Sequence, residues 1–231
     1  MRRAVLLLVV VCVAALAAAD SAAAATRECN GFQVCVPVVG PWVLATQRTE
    51  TQYRLACPQR FVVGGVDAEL SARALDVVFR AFMGAPVNPG ISTSTEAIFL
   101  ARLALGSDPA ATFRPHIGCI PATGGGGRVP TAVPIYTPGR PTTLRVSEIA
   151  ARAGVKATVQ RRCHAGETLV SATHAIGFYT ADPPTRAVAT AVHATQTVAK
   201  GVVTLRLSAG KAIGSARTVV QLDLVCAGGS G

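Results

Sequence analysis

The chain has 231 residues, half of them apolar, 5% aromatic and 15% charged, with a net charge of +10. So little charge argues against long solvated helices, and 22 Gly with 14 Pro call for many turns, which together favour an all-β protein. The basic residues are mostly arginine and scattered, and Arg161-Arg162 is the only adjacent pair beyond the first few residues. The clustered basic and aromatic surface of a nucleic-acid module is therefore not expected.

Arg2 and Arg3, the apolar run from Ala4 to Ala19 and the small residues Ala22 to Ala25 make the three parts of a secretory signal peptide. Cleavage is expected after Ala25, with Ala19 as the alternative. The apolar core is short for a membrane span, and no later stretch holds 18 consecutive apolar residues. Cys12 lies inside the apolar core and not after a small residue at its end, so lipidation is not expected. Removing Arg2, Arg3 and Asp20 with the leader leaves 20 basic and 11 acidic residues in the exported chain.

Residues 26–49 form an N-terminal segment with a small Cys29/Cys35 loop and the stretch Val36 to Leu44, whose Pro37 and Pro41 favour an extended or edge segment over a central strand. Trp42, the only tryptophan, reads as a packing anchor. A first β unit, residues 50–121, has predicted strands at Gln52–Ala56, Phe61–Val66, Leu75–Phe82, Ala97–Leu105 and Thr112–Ile117, where single charges sit among apolar residues. Gly64-Gly65 reads as a bend or bulge that needs unhindered backbone, and Gly84 to Gly90 as a loop. Residues 122–141, with Gly124 to Gly127 and prolines 130, 134, 138 and 141, read as a linker.

A second β unit, residues 142–227, has predicted strands at Thr142–Val146, Lys156–Arg161, Thr168–Phe178, Ala187–Ala194, Val202–Ser208 and Thr218–Val225. A short helix is predicted from Ser147, as N-cap, to Gly154 just past its end. Residues 228–231 are expected to be a flexible tail.

The cysteines give the strongest pattern. Cys57 to Cys119 and Cys163 to Cys226 bracket runs of nearly equal length, each opening on turn residues followed by an apolar run and closing on a strand that ends in cysteine. Six cysteines allow 15 connectivities, but equivalent units should be stapled alike. That selects Cys57–Cys119 and Cys163–Cys226 and leaves Cys29 with Cys35. The expected fold is all-β, with two tandem disulfide-stapled β-sandwich-like units related by internal duplication.

No motif for catalysis stands out. The four histidines, His116, His164, His174 and His193, are not at metal-ligand spacing, and there is no GxSxG elbow, no HExxH helix and no free cysteine after leader removal. The glycine run lacks the Lys-Ser or Lys-Thr of a phosphate loop. Asp67 and Glu69 share a strand face, where they either pair with Arg73 and Arg80 or contribute to a Ca²⁺ site; His174 and His193 have the option of facing each other across strands. No catalytic, cofactor-binding or metal residues are assigned, and no cofactor is expected.

Cys57-Pro58 with Val63-Gly64-Gly65, Cys163-His164-Ala165-Gly166-Glu167 and Val225-Cys226-Ala227 resemble exported proteins of high-GC actinobacteria, in which a Cys-Pro or Cys-x-x-Gly turn opens a short β unit that closes on Cys-Ala. The chain departs from that pattern at Ile117-Gly118-Cys119-Ile120-Pro121. The resemblance implies a location outside the cytoplasm and a repeated β architecture. The function expected is a noncatalytic exported or cell-envelope module that binds an anionic polymer weakly or joins other surface proteins, with a secreted hydrolase as the alternative.

Overall fold

Alternation of buried and exposed side chains marks the strands of this computed structural model, which describes residues 26–47, 49–81, 95–122 and 142–228. Strand β3 (Thr51–Ala56) buries Thr51, Tyr53 and Leu55 and turns Gln52, Arg54 and Ala56 outward, the period-2 pattern of a strand with one face in a core. The other strands of the N-terminal half are β1 (Val36–Val39), β2 (Trp42–Leu44), β4 (Phe61–Leu70), β5 (Leu75–Ala81), β6 (Glu96–Leu103) and β7 (Thr112–Pro121). The C-terminal half has β8 (Thr142–Ala151), β9 (Lys156–Arg162), β10 (Glu167–Tyr179), a one-turn helix α1 (Arg186–Ala189), β11 (Val192–Ala199), β12 (Val202–Ala209) and β13 (Arg217–Gly228). The leader, the linker from residue 123, the Gly84–Gly90 loop and the last three residues lie outside the described residues.

All pairings are antiparallel, and both halves use the same order. One three-stranded sheet runs β3-β6-β5 and the other β9-β12-β11; β7 lies between β4 and β1/β2 as β13 lies between β10 and β8. Even the irregularities agree. The β4–β7 ladder slips between Val63, opposite Cys119, and Gly65, and the β10–β13 ladder slips between Leu169, opposite Cys226, and Ser171. The expected Gly64-Gly65 bulge is therefore present. β2 also pairs with β10, through Val43↔Gly177 and Trp42↔Phe178, so one seven-stranded sheet runs through both halves.

Each half has its own apolar cluster. Tyr53, Leu75, Phe99 and Leu103 meet Val63, Phe113 and Ile117 in the first, and Val203, Leu205 and Leu207 meet Phe178, Val220 and Leu222 in the second. Each large side chain buried this fully contributes about 1.5–3 kcal/mol. Cys57–Cys119 and Cys163–Cys226 each tie the end of a three-stranded-sheet edge strand to the middle of the large sheet, with Cα separations of 5.7 and 5.8 Å. Cys29–Cys35 closes the short N-terminal loop at 5.6 Å. Three bridges suit an oxidising compartment. Among the described residues no helix is long and apolar enough to cross a membrane.

Three local expectations need correction. The helix read from Ser147 to Gly154 is strand: β8 continues to Ala151 and pairs with β13 from Thr142↔Ala227 to Ala151↔Thr218, so ladder pairing overrides local helix propensity. Gly154, read as a helix stop, instead takes φ 75° in the turn into β9. The strand expected at Ala187–Ala194 begins as helix α1 after Pro183-Pro184 and becomes strand only at Val192. Finally, β2 lies inside the large sheet and not at its edge; Pro37 falls on β1 and Pro41 in the break between β1 and β2, which leaves the β2 ladder free of proline.

Candidate functional site

Among the described residues, strand β8 ends the seven-stranded sheet and β9 ends a three-stranded one, and the two strands approach each other where Arg161 reaches Ser147. Between them opens a cleft of 310 Å³ lined by Leu144, Arg145, Val146, Ser147, Arg161, Arg162, His164 and Leu224. The residues on β8 and β9 are brought together because both strands enter the same core through their alternate positions, while Arg162 and His164 flank the bridged Cys163.

Within the cleft the cations differ in freedom. Arg145 is engaged by Glu167, its Nε donating to Oε2 at 2.9 Å, and Glu167 also accepts the His164 backbone N–H at 2.8 Å. The Arg145 hydrogen bonds hold the Glu167 carboxyl well below the usual range, at about 2, so this pair stays ionised and closes on itself. Arg161 donates to Ser147 Oγ at 3.2 Å and to its neighbour's carbonyl, Gln160 O, at 2.9 Å. Neither contact neutralises its charge. Arg162 and His164 are exposed. The cleft thus offers guanidinium donors, the Ser147 hydroxyl and an imidazole to an anionic oxygen, with the planar fork that suits phosphate and carboxylate.

Charge distribution points the same way. Residues 26–122 carry eight basic and seven acidic side chains, whereas residues 142–228 carry ten basic and four acidic. The basic residues are spread over both halves, but the scarcity of acids leaves the half that holds the cleft with the larger net positive charge.

A second polar cluster sits on the outward face of β7. His116, 3% exposed, has Nδ1 at 3.6 Å from Glu28 Oε1 and Nε2 at 3.1 Å from Glu69 Oε1. Glu28, 4% exposed, arrives on the N-terminal segment, and Asp67 Oδ2 accepts the Arg27 backbone N–H at 2.7 Å. A Cβ on either Gly65 or Gly118 would collide with the Glu28 carbonyl oxygen, so the close approach of this segment depends on both glycines. Asp67 and Glu69 thus serve the N-terminal segment and His116, where the sequence suggests Arg73 and Arg80 or Ca²⁺. His174 meets the Ala194 carbonyl and Gln196 Oε1, each at 3.2 Å, in place of His193.

The two halves also meet through polar groups. Gln52 Nε2 donates to Asp223 Oδ2 at 3.0 Å; the Gln221 carboxamide accepts from Arg54 N at 2.7 Å and donates to Arg54 O at 3.0 Å. The Gln221 side chain therefore pairs with the β3 edge as a neighbouring strand would. Asp223 is 2% exposed, and burial raises its carboxyl to about 6. Trp42, 4% exposed, packs into the C-terminal core, with the Arg114 guanidinium 5.7 Å above its ring.

Cys163, Glu167 and Cys226 come within ligand distance of one another. Both sulfurs belong to a disulfide and Glu167 is held by Arg145, so this trio offers no thiolate to a metal. The Ser147 contribution to the cleft was hidden in the sequence by the helix reading of Ser147 to Gly154; the alternation from Thr142 to Val146, extended by five residues, is the signal that would have found it. No protein family matches the chain, and no curated protein matches it.

Proposed function

We propose that the chain is a noncatalytic exported module, built of two β-sandwich-like units related by duplication, that binds an anionic polymer of the cell envelope. The observation that carries this reading is the convergence of Arg161, Arg162 and His164 on a cleft between β8 and β9, in the half with ten basic and four acidic residues. The coincident strand orders and matching bulges support the duplication. The leader at residues 1–25, the three disulfides and the resemblance to exported actinobacterial proteins support export.

A polymer with repeated phosphate or carboxylate groups would be held by the field of the C-terminal half and oriented by the arginines. Because a Debye length is about 8 Å at physiological ionic strength, such binding weakens as salt rises. The hydrolase alternative requires an acid–base pair open to substrate, and His116 and Glu28 are buried under the N-terminal segment, with Glu69 half-buried beside them.

Cosedimentation of the mature protein with purified cell wall tests the reading. Binding is expected at low salt, with loss at high salt and in an Arg161→Glu/Arg162→Glu variant. Binding that survives both the salt and the double substitution would remove the cleft from the mechanism.

A further inference from the structure

His116 has a carboxylate on each side of its ring. Glu28 arrives from the N-terminal segment, 3.6 Å from Nδ1, and Glu69 on β4 lies 3.1 Å from Nε2. A neutral imidazole carries one N–H and one lone pair, so it can donate to one of these acids while it turns a lone pair on the other; only the imidazolium donates to both. His116 Nδ1, His116 Nε2 and Glu28 Oε2 are buried without an aligned hydrogen bond to the protein. Charge, and not a directed bond, therefore holds the contact together.

The other groups around the ring sharpen that need. Asp67 stands opposite His116 in the β4–β7 ladder and adds a third carboxylate, whereas Val39, opposite on β1, brings no charge. Arg114, two residues away on β7, directs Nε and Nη1 to the Gly40 and Ala181 carbonyls. Among the described residues, His116 is the only side chain within ion-pair distance of Glu28 that can carry positive charge. The segment bearing Glu28 is otherwise lightly held. Arg27 N–H donates to Asp67 Oδ2, and Phe32 and Cys35 pack over Gly64 and Gly118, while the Asn30 and Phe32 N–H groups turn back to carbonyls within the loop. With His116 neutral, the Glu28 carboxylate would stay buried near two others without a counter-charge, and lifting the segment returns it to water.

We propose that His116 is a proton-operated latch for the Cys29–Cys35 loop. As the imidazolium it ties Glu28 to Glu69 and seats the loop on β4 and β7; when it loses its proton as pH rises, the loop lifts and leaves Asp67, Glu69 and His116 open to solvent. The seated form binds one proton more than the lifted form, so acid favours it. This inference stands apart from polymer binding, and its test contains no polymer.

Hydrogen exchange of residues 26–35, read by mass spectrometry and divided by the rate in the unfolded chain at the same pH, follows the seating. Across the range in which histidines titrate, about pH 5 to 8, protection in the parent chain should fall by about tenfold, with a slope no steeper than about tenfold per pH unit for a single proton. His116→Gln supplies no charge and should show the low, alkaline level of protection at every pH. Glu28→Gln should do the reverse. Its carboxamide N–H can donate to Nδ1 while Nε2–H donates to Glu69, which satisfies the neutral imidazole on both sides, so protection should stay near the acid level throughout. Asp223, His164, His174 and His193 are unchanged in both variants and cannot produce the difference. Protection in the parent that does not change with pH would overturn the proposal. So would a fall in Glu28→Gln equal to that of the parent, a result that does not depend on His116→Gln folding.

Discussion

On β7 the outward residues are Gly118, His116 and Arg114; at the same ladder positions on β13 they are Val225, Asp223 and Gln221. The inward residues at those levels, Cys119, Ile117 and Phe113 against Cys226, Leu224 and Val220, are all buried and of one kind. The comparison separates two demands on one strand. Inward positions keep the core, whereas outward positions select what lies on top: two glycines admit a backbone carbonyl at close range, and a carboxamide with a carboxylate receives a strand edge. The same division appears in charge, near balance in residues 26–122 and strongly positive in residues 142–228.

The most forceful way to break this comparison is to cut the bridges. Closing brackets of 62 and 63 positions is worth roughly 4 kcal/mol each by loop-closure entropy, against roughly 2 kcal/mol for the Cys29–Cys35 loop. Urea unfolding of the three paired Cys→Ser variants should therefore give two equal large losses and one smaller; unequal losses for the two long bridges would show that the halves are not energetically alike. Next, Gln221→Ala leaves the Arg54 N–H and C=O without their partner and should cost about 3 kcal/mol, since each unpaired buried group costs about 1–3. If stability is unchanged, the β3 edge is not held by that side chain.

Asp223 gives a subtler test. Its carboxyl is raised from 3.8 to about 6 by burial, so the folded state holds the proton more tightly than the unfolded chain. Its contribution to stability is greatest below about pH 4, falls as pH rises to about 6 and stays low above that. Asp223→Asn should therefore stabilise the protein near pH 7, on the order of 2 kcal/mol, and flatten thermal stability between pH 4 and 6. A drop in stability at pH 7 would show that Gln52 requires the charged acceptor. The smallest effect is expected at Arg114, the counterpart of Gln221: Arg114→Ala removes the contact over Trp42 and hydrogen bonds to the Gly40 and Ala181 carbonyls, for about 1 kcal/mol. A loss as large as that at Gln221 would mean the two positions do equal structural work.

Much of the scaffold could be read from residue patterns, because the information is local or repeated. Alternation locates β3, β12 and β13, and equal cysteine brackets select the bridges that form. The failures have physical causes. Ser147 to Ala151 are good helix residues that become strand only because β13, about 70 positions later, supplies ladder partners. The cover on β13 depends on Gln221 reaching a backbone 167 residues away, and no local pattern encodes that contact. His116 was visible as a residue but not as part of a cluster, since Glu28 reaches it from a segment whose course is set by Gly65 and Gly118. Arg161 and Arg162 were visible as a pair, while the cleft needed the relative placement of two sheet edges.

The two long bridges also decide how the chain responds to tension. Each bracket encloses a contour that would extend to roughly 220 Å at about 3.5 Å per residue, and a covalent bond removes that length from any pull applied at the ends. Only the stretches before Cys29, from Cys35 to Cys57, from Cys119 to Cys163 and beyond Cys226 can lengthen. Stretched at its termini, the molecule would yield by a limited distance and then stiffen against sulfur, behaving as a short tether even after its sheets have come apart.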